Sequence, residues 1–266
     1  GKTMRDLSTL PDLKIALVQT TLAWHDREAN YAHFEVLLEQ VGEVDLVILP
    51  EMFTTGFSMD SESLAEPEQG PTYKWLKSQA KRLDAVVTGS VIIQADDGSH
   101  RNRLLWARPD GEILFYDKRH LFRMAGEHKH YTPGERQVQF ELKGWRVRPL
   151  ICYDLRFPVF IRNRFGAEAE GRFDYDLLLF VANWPAARRY AWSTLLRARA
   201  IENLSYVVGV NRAGTDGNGI AYSGDSAALD FLGLPLLELD DKPQVATAVL
   251  SGAKLAEHRE RFPAQL

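Results

Sequence analysis

The sequence predicts an α/β fold in which two β-sheets pack face to face with helices outside. Three observations lead there. Short β-rich apolar runs outnumber helical ones, several are apolar at every position, and the helical segments fall in flanking pairs between them. A strand that is apolar on both sides suits a sheet covered on both faces, and elements of this kind stack in layers.

The elements follow in order. Lys14–Gln19 is a short β-rich run, and Arg27–Val41 carries Phe34, Leu37, Leu38 and Val41 at helical spacing. Asp45–Pro50, apolar at every position after Asp45, predicts a buried strand. Gly70-Pro71 opens a second helix with Trp75, Leu76, Ala80 and Leu83, Pro standing in the first turn where its missing N–H costs least. Val86–Gln94, Arg103–Ala107 and Ile113–Tyr116 predict strands joined at Asp97-Gly98 and Asp110-Gly111. A hairpin of Gln137–Leu142 and Arg146–Cys152 turns at Lys143-Gly144. Leu155–Phe165 and Arg189–Asn203 predict helices, and Asp176–Ala182, Tyr206–Asn211, Ser226–Phe231, Pro235–Leu239 and Val245–Leu250 predict strands. With no Pro/Ser-rich linker or charge block, residues 4–266 read as one domain, with 251–266 a C-terminal arm of weak apolar periodicity lying on the surface or on a partner.

Composition excludes several classes. The chain has 266 residues, 45% hydrophobic and 26% charged, with a net charge of −4. That balance offers no basic field for nucleic acid or anionic membrane. No apolar run is long enough for a membrane span, no secretory pattern opens the chain, and a single Cys fits a reducing compartment, so a cytoplasmic protein is expected.

Three strand-like runs deliver a reactive side chain where they end. Leu46–Pro50 delivers Glu51, Ile113–Asp117 delivers Lys118, and Val147–Ile151 delivers Cys152. Alone, a free Cys packs as a small buried hydrophobe, a lone Glu is solvated or caps a helix, and a lone Lys sits on the surface. Together they make a set in which an acid takes the thiol proton and an ammonium stabilises negative charge.

The words around them carry a resemblance. Pro50-Glu51-Met52-Phe53, Lys118-Arg119-His120-Leu121-Phe122 and Cys152-Tyr153-Asp154-Leu155-Arg156-Phe157-Pro158 resemble the three signature segments of the nitrilase (carbon–nitrogen hydrolase) superfamily. Tyr131-Thr132-Pro133-Gly134 and Arg197–Asn203 are also similar to that family. The resemblance implies a nitrilase-like αββα sandwich. It implies Glu51 as general base, Lys118 as oxyanion stabiliser and Cys152 as nucleophile, with Glu127 as a second acid orienting Lys118 and substrate. The Tyr153 N–H would share the oxyanion, and Phe122, Arg123 and Trp184 would meet the substrate. Phe122–His128 most resembles the omega-amidase branch, which implies 2-oxoglutaramate or 2-oxosuccinamate as substrate, no cofactor, and association as a homodimer or higher oligomer. Asp230-Phe231-Leu232-Gly233 departs from the family's usual Asp-Pro before Gly.

Other readings stay open. A nitrilase or an N-carbamoyl amidohydrolase would use the same three residues, and a silent binding scaffold would keep the sandwich without turnover. Glu127, His128 and His130 could ligate a metal, although a third firm ligand is not apparent and none is expected. His120 could assist Cys152. Arg123, Arg188 and Arg189 are candidates for a substrate carboxylate. Gly214, Gly217 and Gly219 have the wrong spacing for a dinucleotide turn, and Arg197, Arg199 and Glu202 read as structural ion pairs.

Overall fold

Along β1 (Leu13–Gln19), Ile15 and Leu17 enter one core while Ala16 and Val18 enter another, and all four are fully buried. A strand alternates its side chains between faces, so β1 must be covered on both. The computed structural model describes residues 10–166 and 172–264. After β1 come α1 (Arg27–Leu38), β2 (Leu46–Ile48), α2 (Ser61–Leu64), β3 (Glu66–Pro67), α3 (Pro71–Leu83), β4 (Val86–Gln94), β5 (His100–Ala107) and β6 (Ile113–Asp117). Then follow β7 (Phe140–Leu142), β8 (Trp145–Ile151), α4 (Pro158–Ile161), β9 (Phe165–Gly166), β10 (Arg172–Phe173), β11 (Leu177–Ala182) and α5 (Arg189–Asn203). The chain continues through β12 (Tyr206–Asn211), β13 (Ala213–Thr215), β14 (Ala221–Ser223), β15 (Ala227–Leu229), β16 (Pro235–Glu238), β17 (Gln244–Leu250) and α6 (Gly252–Arg261).

One sheet has the order β17-β1-β2-β4-β5-β6 with β3 beside β4, and the other β16-β15-β12-β11-β8-β7. Between them lies a core to which Leu46, Ile48 and Trp106 contribute from one side and Val147, Leu179 and Val208 from the other. On the far face of the first sheet, Phe34 and Leu38 of α1 and Trp75, Leu76 and Ala80 of α3 form a second core. On the second sheet, α5 sets Trp192 and Leu196 against Gly209, where a Cβ would strike the indole. The predicted αββα sandwich is therefore the observed one.

Local chemistry sets the helix boundaries. Asp26 caps α1 by accepting from Ala29 N at 3.0 Å, and Pro71 starts α3. The helix expected over Leu155–Phe165 is not continuous. The chain makes a 3-10 turn at Cys152–Arg156, then the single turn of α4, then β9. Pro158 is the cause: it disfavours helical geometry at Phe157, which sits at φ −119°, ψ 82°, and it restarts the helix. The Gly214–Gly219 stretch is the β13–β14 hairpin.

Gly252–Arg261 form α6, with Leu255 fully buried. Arg259 reaches back to Asp176 Oδ1 at 2.9 Å, to Leu204 O at 2.8 Å and to Tyr175 O at 3.0 Å. Removing one partner of a buried ion pair costs about 3–5 kcal/mol. Arg259→Met should therefore lower unfolding free energy in urea by about that amount. An unchanged midpoint would show that this contact does not fasten α6.

Candidate active site

Three chain exits converge. Beyond β2, Leu49 and Pro50 lead to Glu51, and the chain turns at Met52 (φ 45°), whose N–H donates to Ser90 Oγ at 2.8 Å. Lys118 directly follows β6, its N–H bonded to Asn102 O at 3.0 Å. Gly134 N–H donates to Lys118 O at 2.8 Å, and a Cβ on Gly134 would collide with the Asp117 carbonyl. Only glycine lets that segment lie so close. Cys152 directly follows β8 and has φ 45°, a left-handed conformation that costs an L-residue about 1–2 kcal/mol. The strand thus ends at Ile151, one residue earlier than the sequence suggests.

Lys118 joins two acids. Its Nζ lies 2.9 Å from Glu51 Oε2 and 2.9 Å from Glu127 Oε1, and all three side chains are at 0% exposure. Asn102 Nδ2 closes the ring, donating to Glu51 Oε2 at 2.8 Å and Glu127 Oε2 at 3.0 Å. Phe122 N–H donates to Glu127 Oε1 at 2.7 Å. Asn183, just past β11, links acid and thiol. Its N–H donates to Glu51 Oε1 at 2.9 Å, its side-chain amide donates to Glu51 O, and its carbonyl accepts from Cys152 Sγ at 3.7 Å.

The electrostatics follow from burial and from one cation serving two anions. Burial raises the Glu51 pKa above the ordinary carboxylate value; Lys118 opposes this and Glu127 adds to it. Burial works against the Lys118 charge, but Glu127 and Glu51 outweigh it and hold the ammonium above its usual pKa. Burial, with the Glu51 charge, pushes the Cys152 thiol well up, and Lys118 pulls the other way. The resting thiol is neutral and faces an acid with raised proton affinity. That arrangement suits proton transfer during attack on a substrate.

A cavity opens on Cys152, walled by Phe57, Phe122, Trp184 and Ile220 and carrying Arg156 and Arg188. Phe122, Tyr153 and Trp184 all line this cavity. Arg123 does not. It begins a 3-10 turn on the solvent side and is exposed, outside the cavity lining. Arg189 is also turned away, exposed and paired with Asp225 at 2.7 Å. Arg188 does line the cavity, with its guanidinium 5.9 Å from the Phe122 ring. Sequence reasoning missed Arg156, Asn102 and Asn183. Arg156 lies inside the third signature segment, Asn183 directly follows the apolar β11, and Asn102 sits among charged neighbours in β5 with no local signal.

Glu127 is committed to Lys118, Asn102 and Phe122, and His128 lies in a 3-10 turn. Among the described residues, no three His, Cys, Asp or Glu side chains gather as metal ligands would. His120 bonds Asp154, with Nδ1 and Oδ1 2.8 Å apart. Arg199 pairs with Glu202 at 3.0 Å, as the structural reading expected. No helix among the described residues is long and apolar enough to cross a membrane.

Residues 14–260 match the family described as carbon-nitrogen hydrolase. The chain belongs to that family. It is 50% identical over 255 residues to omega-amidase YafV of Yersinia enterocolitica, covering 95% of each chain. It is 31% identical over 253 residues to a 2-oxoglutaramate amidase of Bacillus subtilis, covering 94% of this chain and 95% of the relative. A solved carbon–nitrogen hydrolase superfamily protein from Xanthomonas campestris, with an arsenic adduct in its active site, superposes with a TM-score of 0.94. It is 55% identical and covers 96% of this chain and 97% of its own.

Cys152 is the chain's sole thiol, so alkylation reads one site. Amide hydrolysis should vanish in step with incorporation of one carbamidomethyl group, measured by intact mass. Full activity in completely alkylated protein would remove Cys152 from the chemistry.

Proposed function

We propose that this protein is an omega-amidase that hydrolyses the terminal amide of a short α-keto dicarboxylate half-amide such as 2-oxoglutaramate. The observation that carries this reading is the pair Arg156 and Arg188 in the wall of the cavity that opens on Cys152. Among the described residues neither guanidinium has a carboxylate partner; Arg156 lies 5.7 Å from the Trp184 ring, and Arg188 reaches Met124 Sδ at 3.4 Å. Two cations without counter-ions lining a largely apolar cavity, Arg188 half-buried and Arg156 exposed, suit an anionic substrate, because a carboxylate taken into the cavity needs a charge-assisted partner. The similarity to omega-amidase YafV supports the same reading.

In the proposed mechanism, Glu51 accepts the Cys152 proton as sulfur attacks the amide carbon. The carbonyl oxygen becomes an oxyanion held by Lys118 and the Tyr153 N–H; one such donor contributes about 3–4 kcal/mol in comparable sites. The tetrahedral species collapses, the carbon–nitrogen bond breaks, and Glu51 returns the proton to departing ammonia. Water, deprotonated by Glu51, then attacks the thioester carbon, and the carbon–sulfur bond breaks to free the acid and restore the thiol. Glu127 keeps Lys118 oriented throughout. The same reading carries a homodimer in the cytoplasm joined through α4 and α5, where Val159 and Tyr190 are 89% and 82% exposed.

Specificity constants test the substrate. A hydrogen bond to a charged group is worth about 1.5–3 kcal/mol, or roughly 10–150-fold. 2-Oxoglutaramate should therefore exceed an uncharged amide of equal length by at least that factor. Arg156→Met and Arg188→Met should each erode the difference, mainly by raising the KM for the charged substrate. A best rate on the uncharged amide, on a nitrile or on an N-carbamoyl compound would contradict the assignment.

A further inference from the structure

Asp154 is fully buried two residues after Cys152, and four donors converge on its carboxylate. Oδ2 accepts from Ile151 N at 3.0 Å and from the Tyr116 hydroxyl at 2.6 Å. Oδ1 accepts from His120 N at 2.9 Å and lies 2.8 Å from His120 Nδ1. The Tyr116 hydroxyl in turn accepts from Arg119 N at 3.1 Å, and the His120 ring stacks on Phe157 at 3.7 Å. One carboxylate therefore grips the residue before Cys152 and, across the gap between the sheets, the residues that flank Lys118 on both sides.

We propose that Asp154 is a positioning residue that sets Lys118 against Cys152, an inference that rests on the roles proposed above for those two side chains. The Lys118 ammonium is anchored at Glu51 and Glu127, so what remains to be fixed is where the end of β6 stands relative to the end of β8. Ile151, the residue before Cys152, is held from one oxygen and His120 from the other, and Tyr116 shares the first. A carboxylate can accept all four donors; an amide of the same shape offers its NH₂ to one pair of them and loses those bonds. Small displacements of catalytic groups are costly, and this clamp opposes such a displacement along the line joining the two exits.

The direction of the effect on thiol reactivity distinguishes this role from a structural one. Glu51, Lys118, Glu127 and Tyr222 act electrostatically on Cys152. If Asp154 only capped its turn, its loss would loosen the turn and speed alkylation of the buried thiol. Direct neutralisation of a nearby negative charge would also speed it, by favouring the thiolate. If Asp154 acts by setting the β8 exit against Lys118, its loss lets Cys152 shift away from the anchored ammonium and slows both alkylation and turnover.

The experiment measures iodoacetamide rates at mildly alkaline pH, and kcat and KM on 2-oxoglutaramate, for wild type, Asp154→Asn and Tyr116→Phe. Alkylation is repeated with each change combined with Lys118→Met. Asp154→Asn should slow both reactions by about tenfold or more with KM little changed, within what misplaced catalytic groups cost. Tyr116→Phe, which keeps ring and volume, should act in the same direction by about threefold. In the Lys118→Met background neither change should slow alkylation further. Equal or faster alkylation in Asp154→Asn with wild-type kcat, or losses that add fully to that of Lys118→Met, would overturn the positioning role alone. An unreactive, inactive wild type would overturn the functional reading beneath it.

Discussion

One buried ammonium between two buried carboxylates is the constraint on which the rest depends. Lys118, Glu51 and Glu127 are all removed from water, and a buried charge is tolerated only when paired and hydrogen-bonded. One cation cannot neutralise two anions, so the cluster is either net negative or holds a proton. The excess is spread by neutral donors, namely Asn102 between both acids, Asn183 N–H on Glu51 and Phe122 N–H on Glu127. Each donor comes from a different element, so the charge arrangement also dictates how β2, β5, β6, β11 and the turn around Glu127 meet.

The same imbalance gives the site its chemistry. Glu51 holds a proton more readily than an ordinary glutamate, chiefly through burial, and Cys152 releases its own less readily for the same reason. Burial thus raises the proton affinity of both groups. Asn183 serves both partners, its carbonyl facing the thiol and its N–H the acid. The strained backbone at Cys152 projects sulfur from the strand end toward the cavity, a form of local cost commonly found where function demands a fixed geometry.

Much of this was legible in the sequence. Apolar runs with a polar residue at the exit located Glu51, Lys118 and Cys152, because a buried strand must end before a charged side chain and the ends of neighbouring strands lie together. Glu127 became legible only through family resemblance, since nothing local marks a 3-10 turn that aims a glutamate inward. Asn102 and Asn183 were not legible, because their importance lies in which residues face them across the fold. Arg123 and Arg156 illustrate the same limit: each is a cation near a signature word, and only the fold places Arg156 and not Arg123 in the cavity lining. Helical periodicity over Leu155–Phe165 misled because Pro158 divides it.

The most direct test of the shared cation is the acid limb of the pH dependence of kcat/KM, compared between wild type and Glu127→Gln. The charge of Glu127 raises the Glu51 pKa, so removing that charge while keeping the shape should lower it. A base of lower pKa stays ionised to lower pH, so the acid limb should move down in the variant, whatever happens to the maximal rate. In wild type the limb should lie above the ordinary glutamate range. An acid limb unmoved by Glu127→Gln, or moved upward, would contradict the claim that Lys118 is divided between two acids and that Glu51 is the proton acceptor.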